Sequence, residues 1–174
     1  MNAAHRVWTL DAEATVQARP RLCEILIDSV RDGASVGFLE PLSIADADAY
    51  WTRIEAAVAA GGCLLLAGAL ADRAIAGTVQ LDLDTLPNQA HRATVSKLLV
   101  HTQARRRGLG EALMLALEQA AREAGRWLLT LDTATGDAER IYEKLGFSRA
   151  GAIPEYAMNP DASLTATTFY YKRL

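Results

Sequence analysis

The stretch from Leu98 to Leu113 constrains this chain more than any other. Leu98-Leu99-Val100 closes an apolar strand, His101 to Arg107 makes a short basic loop, and Gly108-x-Gly110 opens a helix. The glycines let backbone approach a ligand closely, and the helix start leaves several N–H groups unpaired. Those groups and the helix dipole attract anions. Arg105, Arg106 and Arg107 add fixed positive charge. The arrangement asks for a phosphate or pyrophosphate. A Walker-type loop would need a Gly-Lys pair, and the chain has none. A dinucleotide fingerprint needs a third glycine where Leu113 stands, and it would sit in the first strand–helix unit of its domain.

The rest of the chain bounds the setting. Its 174 residues suit one domain, 1–174, at about 150 residues per domain. Hydrophobic residues at 51% and charged residues at 22% argue against disorder. A net charge of -3 argues against a nucleic-acid partner. The longest apolar run, Cys63 to Leu70, is too short for a bilayer. The opening Met-Asn-Ala-Ala-His-Arg has no apolar secretion segment, so a cytoplasmic location is expected. Cys23 and Cys63 have neither metal-ligand nor disulfide-framework spacing, so no metal is expected and both read as buried small hydrophobes.

Periodicity predicts strands at Arg6–Thr9, Cys63–Ala69, Ile75–Leu83, Arg92–His101, Trp127–Leu131, Ser148–Ile153 and Thr165–Lys172. Helices are predicted at Arg21–Val30 with Pro20 in the first turn, from Ser43 or Asp46 to about Ala60, at Gly108–Ala124 and at Asp137–Leu145. Turns are expected at Ala71-Asp72-Arg73 and Pro87-Asn88, and a loop at Pro154–Pro160. Gln80, Asp82 and Asp84 alternate with Val79, Leu81 and Leu83, which predicts one wet strand face. Glu111, Glu118 and Arg122 mark the polar side of the third helix, and Trp8, Trp51 and Trp127 read as core.

Arg105-x-x-Gly108-x-Gly110 after an apolar strand resembles the cofactor motif of the GCN5-related N-acetyltransferases (GNAT). Ala138-Glu139-Arg140-Ile141-Tyr142-Glu143-Lys144-Leu145-Gly146-Phe147 resembles that family's next block, and the interval leaves room for a helix and a strand. The Gly33–Phe38 loop, Leu131-Asp132-Thr133 and the tail Pro154-x-Tyr156…Pro160-Asp161…Thr168-x-Tyr170-x-Lys172 look like the tabtoxin-resistance acetyltransferases. Glu143 to Phe147 follows the wider superfamily more than that subgroup.

The resemblance implies an α/β fold, a mixed, mostly antiparallel twisted sheet of six to seven strands flanked by about four helices. The sheet would split near Val100 and Leu131 with the cofactor, acetyl-CoA, in the wedge. It implies an acyltransferase that moves acetyl from acetyl-CoA to a primary amine of a small molecule, an amino-acid-like toxin or antibiotic among the candidates. Arg105, Arg106, Arg107, Gly108, Leu109, Gly110 and Glu111 would cradle the pyrophosphate; the bland reading is a solvated basic turn. Leu98, Leu99 and Val100 would lie beside pantetheine, their side chains in the core. Tyr142 would stand near the sulfur as general acid; its bland reading is a packed helix tyrosine. Asp132 would bind the substrate ammonium or take its proton, or else be a plain turn acid. Phe38, with Ser35 and Val36, could line the acceptor pocket as a lid hinged at Gly33 and Gly37, and Tyr156 is the contact expected from the Pro154–Pro160 loop. His101 could serve as a base but reads more simply as a satisfied loop residue. Gln80, Asp82, Ser96 and Lys97 lie near the expected cleft, and their facing depends on strand parity. A protein N-terminus or lysine as acceptor, and a non-catalytic CoA-binding sensor, stay open as alternatives. Family members are often homodimers, and no interface is readable here. No membrane partner is expected.

Overall fold

The computed structural model describes residues 5–71, 74–134 and 136–174. Met1 to Ala4, Asp72 and Arg73 of the expected turn, and Thr135 lie outside the described residues. Within them the order is β1 (His5–Leu10), α1 (Ala12–Arg31), α2 (Ile44–Ala59), β2 (Cys63–Leu70), β3 (Gly77–Asp82), β4 (Arg92–Val100), α3 (Leu109–Glu123), β5 (Leu128–Thr133), α4 (Gly136–Lys144), β6 (Ser148–Met158) and β7 (Leu164–Arg173). One seven-stranded sheet runs β1-β2-β3-β4-β5-β7-β6. Every pairing is antiparallel except β4 with β5. That is the mixed, mostly antiparallel α/β sheet expected. Among the described residues, no helix is long and apolar enough to cross a membrane.

Two cores sandwich the sheet. Leu22, Ile25 and Leu26 of α1 and Trp51 of α2 meet Leu65, Ala67 and Leu99 on one face. Leu109, Leu113 and Leu117 of α3 meet Leu66, Val79, Val95 and Leu129 on the other. The second cluster extends to Tyr142, Phe147 and Tyr170, so α3 packs across both halves of the sheet.

The helix α1 starts nine residues before the expected Arg21. Asp11 caps it, its Oδ1 accepting from the Ala14 N–H at 2.8 Å, and such a cap contributes about 1 kcal/mol. Pro20 therefore lies inside the helix. The carbonyl it leaves without its helical donor belongs to Val16, an exposed residue. Ser43 caps α2 by accepting from the Asp46 N–H. Gly33, Gly61, Gly125 and Gly146 follow the four helices with positive φ, as helix-stopping residues do.

Four further expectations are corrected. Thr78 and Gln80 are buried, because α1 and α2 cover the β3 face read as wet; Asp82 is exposed. Glu118 is buried and accepts from Lys172 Nζ at 2.6 Å, with Arg122 farther off at 3.9 Å. Trp127 is exposed, stacked on His91 and covered by the Arg173 guanidinium; Trp51 is fully buried. Pro154 lies within β6, an edge strand whose pairing shifts register between Ile153 and Ala157.

Candidate active site

The site follows from where the β4–β5 ladder ends. These parallel strands pair only at Arg92↔Leu128, Ala93↔Leu129 and Thr94↔Thr130. Beyond that they part, and a cleft of about 1200 Å³ opens between Val95–Val100 and Asp132–Ala134. From Val95 onward the β4 backbone edge facing β5 has no ladder partner there. Such an edge suits the amides of an extended chain.

A bulge shapes the β4 wall. Thr78 pairs with Leu99 and Gln80 with Ser96, so Val79 faces both Lys97 and Leu98. Lys97 adopts φ 51°, the left-handed region a side chain enters at a cost. The extra residue switches parity. Ala93 and Val95 face the α3 core before it, while Leu99 faces the α1–α2 core after it. Bulges of this kind re-aim side chains, and every residue from Val95 to Val100 lines the cleft.

The α3 N-terminus forms one end. Gly108 takes φ 83° and provides no side-chain cap. That φ favours glycine, and a Cβ there would also crowd the His5 ring, at 3.0 Å from Cε1. The first-turn N–H groups, which have no intrahelical partner, open at this end, where Gly108, Leu109, Gly110 and Glu111 line the cleft. The Glu111 carboxylate would oppose a bound anion, but Lys144 Nζ holds it at 2.6 Å. The three arginines divide. Arg106 lines the cleft and is exposed. Arg105 also lines it, but its Nε donates to the Val100 carbonyl at 3.0 Å and its guanidinium pairs with Asp32. Arg107 does not line the cleft; its carbonyl contacts His5 Nε2.

The other end gathers Phe38, Lys97, Asp132 and Tyr142. Tyr142 is buried against Phe147 and Tyr170. Burial, and then the Asp132 charge, push its phenol above the ordinary value. The 33–38 loop closes this end, with Ser35 Oγ donating to the Met158 carbonyl at 3.1 Å. Just beyond it, the Glu40 N–H donates to the Pro160 carbonyl at 2.9 Å. Phe38 stands edge-on to Tyr50 at 5.3 Å. Tyr156 is not brought in; it lies exposed against Phe169. His101 is outside as well, its Nδ1 accepting from the Gln103 N–H in the turn after β4.

A family model for the Acetyltransferase (GNAT) family matches residues 24–147. The chain belongs to this family. An uncharacterized N-acetyltransferase from the hisH-hisA intergenic region of Azospirillum brasilense is 34% identical over 113 residues, 64% of this chain. The chain spans 65% of the length of that curated relative. Among solved structures, a GCN5-related N-acetyltransferase from Kribbella flavida superposes with TM-score 0.80 at 20% identity, covering 98% of each chain. The structure of yncA from Salmonella typhimurium with its cofactor acetyl-CoA superposes with TM-score 0.78 at 16% identity, covering 98% of this chain and 94% of that one. These structural likenesses concern the fold.

The residues of this GNAT chain fit an acetyl-CoA molecule on two observations. The β4 edge beyond Thr94 lacks a ladder partner, and the α3 N-terminus carries no side-chain cap. Sequence reasoning placed Lys97 near the cleft without fixing its face, read Met158 only as part of the Pro154–Pro160 segment and gave no role to Thr167; all three line the cleft. Lys97 carried a signal, being the one charge in the run Val95-Ser96-Lys97-Leu98-Leu99-Val100. Thr167 carried none, since β7 brings it in from far along the chain.

Proposed function

We propose that this chain transfers an acetyl group from acetyl-CoA to a primary amine of a small molecule, in one step within a ternary complex. The observation that carries the reading is the wedge that opens after three β4–β5 pairs and runs from an uncapped helix start to Tyr142 and Asp132. Acetyl-CoA supplies a thioester-activated acetyl group. The backbone of Leu98, Leu99 and Val100 would hold the pantetheine arm, and Gly108 to Glu111 with Arg106 the pyrophosphate. Asp132 holds the acceptor ammonium at the other end and takes up its proton, directly or through water, since only the neutral amine can attack. The nitrogen gains the acetyl carbon, the C–S bond breaks, and negative charge gathers on sulfur.

Tyr142 answers that charge. Its raised pKa keeps the phenol protonated well above neutral pH. The same rise makes full transfer uphill to a thiolate, whose conjugate thiol ordinarily titrates at about 8.5. The phenol therefore acts as a hydrogen-bond donor to sulfur, and the proton that the nitrogen sheds on becoming an amide passes, directly or through water, to the thiolate as the thiol leaves. A cysteine-linked intermediate is not invoked. Burial pushes the Cys63 thiol up to about 11, and Cys23 is likewise raised.

Closure of the acceptor end by the tethered 33–38 loop favours a small acceptor over a protein terminus. Within small amines, the tabtoxin-resistance resemblance points to amino-acid-like molecules and to a detoxifying role in the cytoplasm, with residues 1–174 as one domain. Calorimetric titration tests the cofactor: acetyl-CoA should bind at one site per chain and NADH should not. An amine panel read by thiol release follows. Folded protein that ignores acetyl-CoA would overturn the reading.

A further inference from the structure

The acceptor end holds a cation that the transfer chemistry leaves unused. Lys97 sits at the β4 bulge, on the cleft wall, held at φ 51°. Among the described residues no ion pair engages it. Its ammonium lies 5.5 Å from the centre of the Tyr50 ring. A Cβ on Gly37 would stand 3.8 Å from Lys97 Nζ, so the 33–38 loop closes directly over the charge. Burial draws its pKa down, and Asp132 is near enough to draw it partly back. The parallel register places Asp132 level with Ser96 and the bulge across the wedge, since Thr94 pairs with Thr130 and the strands then part. A cation and a carboxylate thus face one another across the gap without joining.

A protein rarely leaves a sheltered ammonium without a counter-charge. Here a strained backbone conformation holds the residue in place, a pattern found where a side chain is aimed at a ligand. We propose that Lys97 binds a carboxylate of the acceptor, so that the acceptor is a zwitterionic amine, its ammonium toward Asp132 and its carboxylate toward Lys97. The assignment rests on the transferase reading above and names its substrate class. One compact ammonium matches a single carboxylate; a phosphate, with twice the charge, would call for a planar fork or further donors. Phe38 lines the same end, edge-on to the Tyr50 ring over which the Lys97 ammonium lies.

The test uses matched pairs of probes, L-leucine with isopentylamine and L-phenylalanine with phenethylamine, on the full chain. Wild-type protein should prefer the carboxylate-bearing member of each pair in kcat/KM. Lys97→Met should reduce that preference about ten- to hundredfold, mainly through KM, and Lys97→Arg should restore most of it. Equal losses for both members of a pair, or a fall confined to kcat, would overturn the assignment and make Lys97 a proton carrier or a scaffold residue. Calorimetric binding of the same four probes to wild type and to Lys97→Met scores the assignment without turnover. No carboxylate preference in wild type refutes it. A separate acetyl-CoA titration keeps the two readings apart, because its failure removes the transferase while the carboxylate preference is still scored.

Discussion

Gly77→Ala is the sharpest test of how the sheet seats α3. Gly77 pairs with Gly68 across β2 and β3, beneath the first two turns of the helix. Neither glycine has a positive φ, so alanine is limited by space alone. A Cβ on Gly77 would stand 2.9 Å from the Leu99 carbonyl oxygen and 3.0 Å from Leu113 Cδ1. On Gly68 its three nearest neighbours would be leucine side-chain atoms, Leu109 Cδ1 at 2.9 Å, Leu113 Cδ2 at 3.1 Å and Leu113 Cγ at 3.2 Å. Leucine ends can turn aside, whereas a strand carbonyl moves only with its strand. Overpacking costs about 1–3 kcal/mol, so Gly77→Ala belongs at the top of that range and Gly68→Ala at the bottom. At about 2–4 °C per kcal/mol for a domain of this size, Gly77→Ala should lose roughly 6–12 °C in Tm and Gly68→Ala roughly 2–4 °C. Leu99 also belongs to the cleft wall, so Gly77→Ala should weaken acetyl-CoA binding more than Gly68→Ala. Thermal melts and calorimetry on the two variants decide it. A Gly68→Ala protein as damaged as Gly77→Ala in both measurements would refute the argument from the rigid carbonyl.

Tyr142→Phe should lower kcat about 10²-fold with KM for acetyl-CoA little changed; an unaltered kcat would remove the phenol from the chemistry. Lys97→Met should raise stability at neutral pH. The folded-state pKa of Lys97 lies below its ordinary 10.5, so the unfolded chain binds more protons between the two values. Stability therefore rises with pH across that window, and the burden is full below it. The advantage of the variant should shrink as pH climbs toward 10.5 in paired denaturant melts; a constant difference would contradict the sign. Lys172→Met strands the buried Glu118 carboxylate, leaving it only Arg122 at 3.9 Å. The cost should be about 3 kcal/mol by urea midpoint at pH 7, and a neutral result would show that the pair is not energetically coupled.

What the sequence made legible was local. The basic loop, the two glycines and the helix after them lie within a few residues of one another, and backbone chemistry alone fixes their meaning. Helix ends were legible for the same reason, because a glycine with positive φ needs no distant partner. The face of a residue depends on what packs over it. Gln80 alternates with apolar neighbours as a wet residue would, yet α2 brings Tyr50 Oη to donate to its Oε1 at 2.9 Å. Glu118 reads as solvated until β7 delivers Lys172. Lys97 shows the limit most directly: a period-two pattern carries no mark of the extra residue that reverses it. Pro20 misled in the other direction: it lies well inside α1, where packing of Leu22, Ile25 and Leu26 offsets the hydrogen bond the helix loses there.

The seam between β4 and β5 has a mechanical consequence. Three backbone pairs hold it, and on the α3 face Leu129, Leu131 and Tyr142 share one core with Leu109, Leu113 and Leu117. A hydrogen-bonded ladder shifts only in whole-residue steps, while packed side chains can slide by fractions of an ångström. The gap is therefore compliant across its width and stiff along the β4 wall. In the proposed transferase, a small rotation of β5–β7 is the motion that would let the gap meet acceptors of differing breadth.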